Sequence, residues 1–337
     1  MTNVSGKPSI DVIIPVYNAP ALTRRCIDSV VAYLSPSIRY IYIQDDASDI
    51  ETREMLDQLP YADIHIYHAQ RNQGFGMSVN EAVARSNADF VLILNSDTEM
   101  CADFLPVLYA TFVADPQLAI VSPAQDGFTR YDVNRYLRRP GGYIPVYHYK
   151  GYAFLIRRSV FSGVGGFDPK FGRGYFEDMD LSRRLNQQNW RMGVHPDTRI
   201  YHRGGGSFGR GQVYRSLMQH NRGLYLSCYP DVRRNIVLVS DCCDLPDELH
   251  NAIEDIFRQG GNVHWLTSVP VPKLSCLQMR NSRTGLVTIV RLMLRGCIRN
   301  DKRISAVWIL PGIPYALRGL LAIFVYLRKL EVILWKT

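Results

Sequence analysis

Apolar residues first cluster at 10–16, where Ile10, Val12, Ile13, Ile14 and Val16 form a run rich in β-branched side chains that stops at Tyr17 and Asn18. A run of this kind, without polar alternation, predicts a strand buried on both faces. Residues 20–34 place Leu22, Cys26, Ile27, Val30, Val31 and Leu34 at helical spacing, and Tyr40 to Ile43 predict a second strand closing on Gln44, Asp45 and Asp46. The rhythm continues with a helix at 50–59, a strand at 64–68, a helix at 76–86 and a strand at 90–94. Such alternation predicts an α/β fold, a Rossmann-like, mostly parallel sheet with helices on both faces. Ligands of these sheets collect at the carboxyl ends of the strands.

Beyond residue 115 the pattern breaks. An arginine-rich stretch at 130–139, followed by Pro140-Gly141-Gly142, reads as a loop or lid; a strand at 152–156, a glycine-dense passage at 163–174 and a helix at 176–185 come next. Glu177, Asp178 and Asp180 fall in the first turn of that helix, where the dipole favours acids. A second rhythm starts after Tyr229-Pro230, with strands at 235–240, 262–266 and 304–310 and helices at 246–259, 284–297 and 315–330. The expected division is a domain over 1–230 and a small second α/β unit, also Rossmann-like, over 231–337. Residues 304–335 are largely apolar and flanked by Arg303, Arg328, Lys329 and Lys336, but Pro311, Pro314 and Arg318 interrupt any span long enough to cross a bilayer. Packing within a domain and an interfacial, membrane-associating helix both remain open.

Composition changes the picture in two places. The chain of 337 residues is 47% hydrophobic and 21% charged, a globular profile, and of its 39 basic residues only seven are lysine. Arginine's planar fork suits phosphate and carboxylate, so the net charge of +8 points to phosphorylated small molecules, nucleic acid or an anionic membrane. The seven cysteines, Cys26, Cys101, Cys228, Cys242, Cys243, Cys276 and Cys297, contain no C-x-x-C pair, which argues against a disulfide framework and a zinc ribbon. With a polar stretch at 1–9 and no secretory signal pattern, the expected compartment is the cytoplasm, with the cytoplasmic face of the inner membrane left open.

Polar residues stand at the strand ends: Tyr17 and Asn18, Asp45 and Asp46, and Asn95, Ser96 and Asp97. Asn, Asp and Ser are ordinary turn and cap residues, so any one cluster is weak evidence, but all three fall on one rim. In chain order, Pro15-Val16-Tyr17-Asn18, Asp45-Asp46-Ala47-Ser48, Asn72-Gln73-Gly74-Phe75-Gly76 with Asn80, Asn95-Ser96-Asp97-Thr98, Gly165-Gly166-Phe167-Asp168, Glu177-Asp178-Met179-Asp180, and His202 with Gly204-Gly205-Gly206-Ser207 resemble the family 2 inverting glycosyltransferases of the GT-A fold. The resemblance covers roughly 9–210 and looks most similar to bacterial members that build surface polysaccharides, O-antigen or capsule, including a rhamnosyltransferase-like branch.

The resemblance implies transfer of a sugar from a nucleotide-sugar donor, UDP or dTDP, to a hydroxyl of a glycan acceptor that is lipid-linked. Rhamnose, galactose and N-acetylated sugars are all compatible. Tyr17 and either Asp45 or Asp46 would hold base and ribose, with Pro15, Asn18, Asn72, Gly74 and Ser96 lining the nucleotide site. Asn95-Ser96-Asp97 occupies the position of the family's D-x-D, with Asn95 in place of the first acid and hydrogen-bonding the ribose. Asp97 and His202 would bind Mn2+ or Mg2+ to offset charge on the departing diphosphate, and Arg203 and Arg210 would add phosphate contacts. Asp178 is the implied general base, with Glu177 and Asp180 as neighbours whose crowding raises its proton affinity. Gly74 and Gly76 lack the third glycine and the position of a dinucleotide fingerprint, and are expected to let a helix pack tightly against the sheet. The second unit weakly resembles one truncated half of a GT-B nucleotide-sugar domain. A nucleic-acid partner is not expected, since no basic reading helix or aromatic RNA motif is present and the acidic rim repels phosphate. A silent, glycan-binding relative is the remaining alternative, against which the intact Asp97, Asp178 and His202 speak.

Overall fold

The computed structural model describes residues 8–126, 133–203, 211–230, 232, 234–242, 244–271, 273–298 and 303–335. It divides into two compact units, one of Met1–Asp132, Arg138–Ile144 and His148–Cys228, the other of Val133–Leu137, Pro145–Tyr147 and Tyr229–Thr337.

The first unit begins β1 (Ile10–Val16), α1 (Pro20–Leu34), β2 (Ile41–Asp45), α2 (Ile50–Asp57), β3 (Ile64–His68), α3 (Phe75–Arg85) and β4 (Phe90–Leu94). Every residue of β1, β2 and β4 is buried, which is why their sequences show no polar alternation. α1 starts on Pro20, whose missing N–H costs nothing in a first turn, and buries Cys26, Ile27, Val30 and Leu34. α2 is capped by Asp49, which accepts from the Thr52 N–H.

The chain continues through β5 (Thr98–Met100), α4 (Leu105–Ala114), β6 (Leu118–Gln125), β7 (Ile144–Val146), β8 (Ala153–Arg157), α5 (Arg158–Gly163), α6 (Glu177–Gln187), β9 (Arg191–His202) and α7 (Gln212–Cys228). The sheet order is β3-β2-β1-β4-β8-β6-β9-β5. The four strands read first from the sequence pair in parallel, whereas β8 runs antiparallel to both β4 and β6. β1 pairs with β2 as far as Val16↔Asp45 but with β4 only as far as Ile13↔Ile93. Pro15, which has no N–H to donate, therefore sits where β1 and β4 have already parted. That parting is the switch point of the strand order, where ligands of open α/β sheets bind.

The second unit contains β10 (Asn235–Ser240), α8 (Asp247–Arg258), β11 (Asn262–Thr267), β12 (Met279–Arg283), α9 (Leu286–Ile298), β13 (Ile304–Ile309), α10 (Tyr315–Arg328) and β14 (Glu331–Leu334). Its five strands are all parallel, in the order β12-β11-β10-β13-β14. β12, Met-Arg-Asn-Ser-Arg, has no apolar pattern because it lies at a sheet edge.

The described part of the arginine-rich stretch is loop with one 3-10 turn, Val133–Arg135. Val133–Leu137 belongs to the second unit, where the Leu137 N–H donates to Leu274 O at 2.8 Å and the Leu274 N–H to Arg135 O at 2.7 Å. Arg138 holds both carboxylate oxygens of Asp197, at 2.5 and 3.1 Å, and Arg130 lies outside the described residues.

Candidate active site

The rim loops are tied together by their own polar residues. After β1, the Asn18 N–H donates to Ser48 Oγ at 2.8 Å, and Asn18 Oδ1 accepts from the Asp49 N–H at 2.9 Å. Asn18, Ala19 and Ala47 all adopt positive φ, near 58–59°. For residues carrying a Cβ this costs on the order of 1 kcal/mol each, and it persists because the clamps over-determine the loops. Two more such residues, Tyr175 and Phe176, immediately precede α6. Backbone strain thus concentrates at both sets of loops that the sequence marks as functional.

Asp45 and Asp46 are buried, and their oxygens are engaged within the protein. Asp45 Oδ1 accepts from the Ser48 N–H at 3.0 Å, and Oδ2 lies 2.7 Å from His68 Nδ1. Asp46 accepts from the N–H groups of Gln73 at 2.6 Å and Gly74 at 2.8 Å, which fixes the turn entering α3. Burial raises the Asp46 pKa, against the pull of those N–H donors. The two carboxylates therefore fix the rim loops, and with one such partner on each oxygen they keep lone pairs that can accept from a base. Asn72 Oδ1, by contrast, is buried with no partner among the described residues. His68 escaped the sequence reading; its only signal was that it ends β3 in register with Asp45. Burial opposes its charged form, but Asp45 and Asp57 outweigh this and hold its pKa above the ordinary value.

Gly74 has φ +91°, and a Cβ there would lie 2.2 Å from Gly172 O and 2.5 Å from Arg173 Cα. Gly76 packs on Phe167, and Asn80 bonds both the N–H and the C=O of Phe167, at 2.9 and 2.8 Å. These glycines admit the 163–174 loop, not the sheet as expected. Gly74→Ala is expected to lower stability by about 3 kcal/mol, combining left-handed strain and overpacking. Gly163→Ala, where a Cβ meets nothing within 4 Å, is the control expected to leave the melting midpoint nearly unchanged.

Asp97 meets His202 through strand pairing. The Thr98 N–H donates to Asn95 O at 3.1 Å, closing a turn that feeds β5, and β5 pairs with β9 so that Thr98 faces His202. Asp97 Oδ1 then lies 3.2 Å from His202 Nε2, and the imidazole stacks on Tyr152 with centroids 5.1 Å apart. Adjacent ligands of a hard divalent cation at about 2.1 Å are separated by roughly 3 Å, so this oxygen and nitrogen suit one edge of its shell. No cluster of three His, Cys, Asp or Glu ligands occurs among the described residues, so further ligands would come from diphosphate or water. Arg203 Nε donates to Glu99 Oε1 at 2.9 Å, and these two residues with Asp126, Tyr201 and His202 line a cavity of about 440 Å³. Arg210 and the glycines at 204–206 lie outside the described residues.

Asp178 opens α6. Its Oδ1 accepts from the Met179 N–H at 2.8 Å and its Oδ2 lies 3.3 Å from His148 Nε2. Burial pushes this carboxyl up, but His148, the Met179 N–H and Lys150 outweigh it, so its pKa falls below the ordinary value. The crowding expected to raise Asp178 acts instead on Glu177, whose Oε2 is buried without a partner among the described residues and whose pKa is raised by burial and by the Asp178 charge. Asp180 does not join them: fully buried, it pairs with Arg184 at 2.8 Å and Lys170 at 3.5 Å and serves the helix scaffold. Tyr149, fully buried with a hydroxyl that has no partner among the described residues, lies close enough to feel Asp178 and Glu177 and was not foreseen from the sequence.

Residues 148–152 join the two halves of the site. A Cβ on Gly151 would lie 3.5 Å from the Asp178 Cβ, while the next residue, Tyr152, stacks on His202 and accepts from the Asn95 N–H at 2.8 Å.

Sheet, rim and paired carboxylate loops define an α/β protein of the GT-A fold. The chain belongs to glycosyl transferase family 2, whose pattern matches residues 11–178. It is similar to the O-antigen biosynthesis protein RfbC of Myxococcus xanthus, 24% identical over 226 residues, 59% of this chain and 18% of that protein. It is also similar to N-acetylglucosaminyl-diphospho-decaprenol L-rhamnosyltransferase of Mycobacterium tuberculosis, 35% identical over 82 residues, 24% of this chain and 26% of that protein. The chain thus matches only a fifth to a quarter of these relatives' lengths. Among solved structures, the mannosyltransferase PcManGT from Pyrobaculum calidifontis in complex with GDP-Man and Mn2+ shares the fold, with a TM-score of 0.54 at 16% identity over 96% of this chain and 81% of that one.

Proposed function

We propose that this protein is a metal-dependent, inverting glycosyltransferase that moves a sugar from a UDP- or dTDP-linked donor to a hydroxyl of a lipid-linked glycan in bacterial surface polysaccharide synthesis. The observation that carries the reading is the placement of Asp178 and the Asp97–His202 pair against consecutive residues, Gly151 and Tyr152. In this reading Asp178 accepts the proton of the acceptor hydroxyl as that oxygen bonds to the anomeric carbon and the bond to the diphosphate breaks. One displacement inverts the centre. Asp97 and His202 would hold Mn2+ or Mg2+, which when bound offsets the charge of the diphosphate. Tyr17, Asn72, Asn95 and Ser96 are proposed to receive the nucleotide, on the frame that Asn18, Asp45 and Asp46 stiffen, and Arg203 and Arg210 to contact phosphate.

The test is incubation with UDP-, dTDP- and GDP-sugars plus Mn2+. Slow release of nucleoside diphosphate from one donor class supports the proposal; binding without release favours a silent relative, and neither excludes both. The pH profile carries a sharper expectation. Because His148 favours the Asp178 carboxylate, His148→Gln should raise the Asp178 pKa and move the acidic limb of kcat/KM to higher pH, with activity at alkaline pH largely retained. An unmoved limb would separate His148 from the base.

A further inference from the structure

The second unit carries a surface that the candidate active site does not use. α9 and α10 cover one face of its sheet, with Ile289 of α9 and Leu321 and Phe324 of α10 packed among Val237, Val239 and Val307. Their outward sides are apolar as well. Along α9, Leu286, Val287, Val290 and Leu294 are exposed; along α10, Tyr315, Ile323, Tyr326 and Leu327 are 90%, 58%, 83% and 68% exposed. A helix on a soluble surface normally turns charge toward water on this side, and a contiguous apolar patch marks an interaction site.

Charge identifies the partner. Neither helix contains an Asp or Glu. Among the described residues, the exposed charged side chains of the two helices are those of Arg291 and Arg318, with Lys329 directly after α10; an acid just beyond, Glu331 in β14, is paired with Arg234, and the Arg318 guanidinium lies 5.9 Å from the Tyr315 ring centroid. A second copy of this chain meeting the patch through a two-fold axis would bring the arginines of the two helices against one another with no acid from either helix to offset them. An anionic bilayer supplies both an apolar layer for the side chains and negative headgroups for the basic rim. Crossing is not the mode, since no helix among the described residues is long and apolar enough to span a membrane.

We propose that the outward face of α9 and α10 docks on an anionic lipid bilayer as an interfacial surface, with Ile323 and Leu327 entering the acyl boundary and Arg291, Arg318 and Lys329 at the headgroups. This goes beyond the catalytic reading and does not depend on it.

The full-length chain is tested by flotation with vesicles of phosphatidylcholine, alone or containing phosphatidylglycerol. It should float with the anionic vesicles, remain behind with the neutral ones, and lose binding as salt rises. Ile323→Asp with Leu327→Asp should abolish flotation. Arg318→Ser and Lys329→Ser should each weaken it about fivefold, the worth of one basic residue near such a surface. Circular dichroism confirms that the variants fold, and donor hydrolysis in lipid-free buffer should be unchanged in them. No flotation of the wild type, or equal binding to neutral vesicles, overturns the proposal. So does a lipid-free dimer in size-exclusion chromatography with light scattering that the double variant dissolves, which would assign the face to self-association.

Discussion

Asp178→Asn should lower sugar transfer by about 10²- to 10⁴-fold, the usual contribution of a positioned general base, while donor affinity stays within about twofold of the wild type. The amide keeps the shape of the carboxylate and can still accept from the Met179 N–H through its oxygen, so α6 should begin as before. What it loses is the ability to take the acceptor's proton. Glu177 is a poor substitute, because its carboxyl has a buried oxygen with no partner and favours the protonated form. Single-turnover transfer measured beside calorimetric titration of the donor separates the two quantities. Near-normal turnover in the variant would remove Asp178 from the base role.

Asp97→Asn should raise the Mn2+ concentration for half-maximal activity about a hundredfold or more, above the range seen when only a supporting partner of a metal ligand is lost. A neutral amide cannot replace the charge that a hard cation draws from a carboxylate. The backbone of the turn should survive, since the Arg203 N–H bonds the Asp97 main-chain carbonyl at 3.2 Å, not the side chain. Electron paramagnetic resonance of free Mn2+ gives a readout independent of catalysis. Unchanged Mn2+ uptake would show that Asp97 and His202 approach each other for structural reasons alone.

Much of the fold was legible because its central strands are buried on both faces and its helices on one. β1, β2, β3 and β4 with α1, α2 and α3 fall within a few residues of their expected places. The region from Thr98 to His202 was less legible. β9, Arg-Met-Gly-Val-His-Pro-Asp-Thr-Arg-Ile-Tyr-His, contains a proline and alternates imperfectly, and its pairing with β6 shifts register twice. α7 did carry a signal, with Val213, Leu217, Leu224 and Cys228 at helical spacing. In the site, the acids were conspicuous in the sequence while their partners were not. His68, His148 and Tyr149 act through distances of 11–30 residues along the chain or through burial, neither of which residue spacing encodes.

The linear chain by itself determined the family, the two α/β rhythms and which acids stand as candidates, because these depend on local periodicity and on motif order. The tertiary structure alone decided what surrounds each acid. Asp45 and Asp46 hold the rim loops, Asp180 is a buried ion-pair partner, and the raised proton affinity expected at Asp178 falls on Glu177. A carboxylate's role follows from which donors and charges surround it in three dimensions, and those neighbours are assembled by strand register and helix packing.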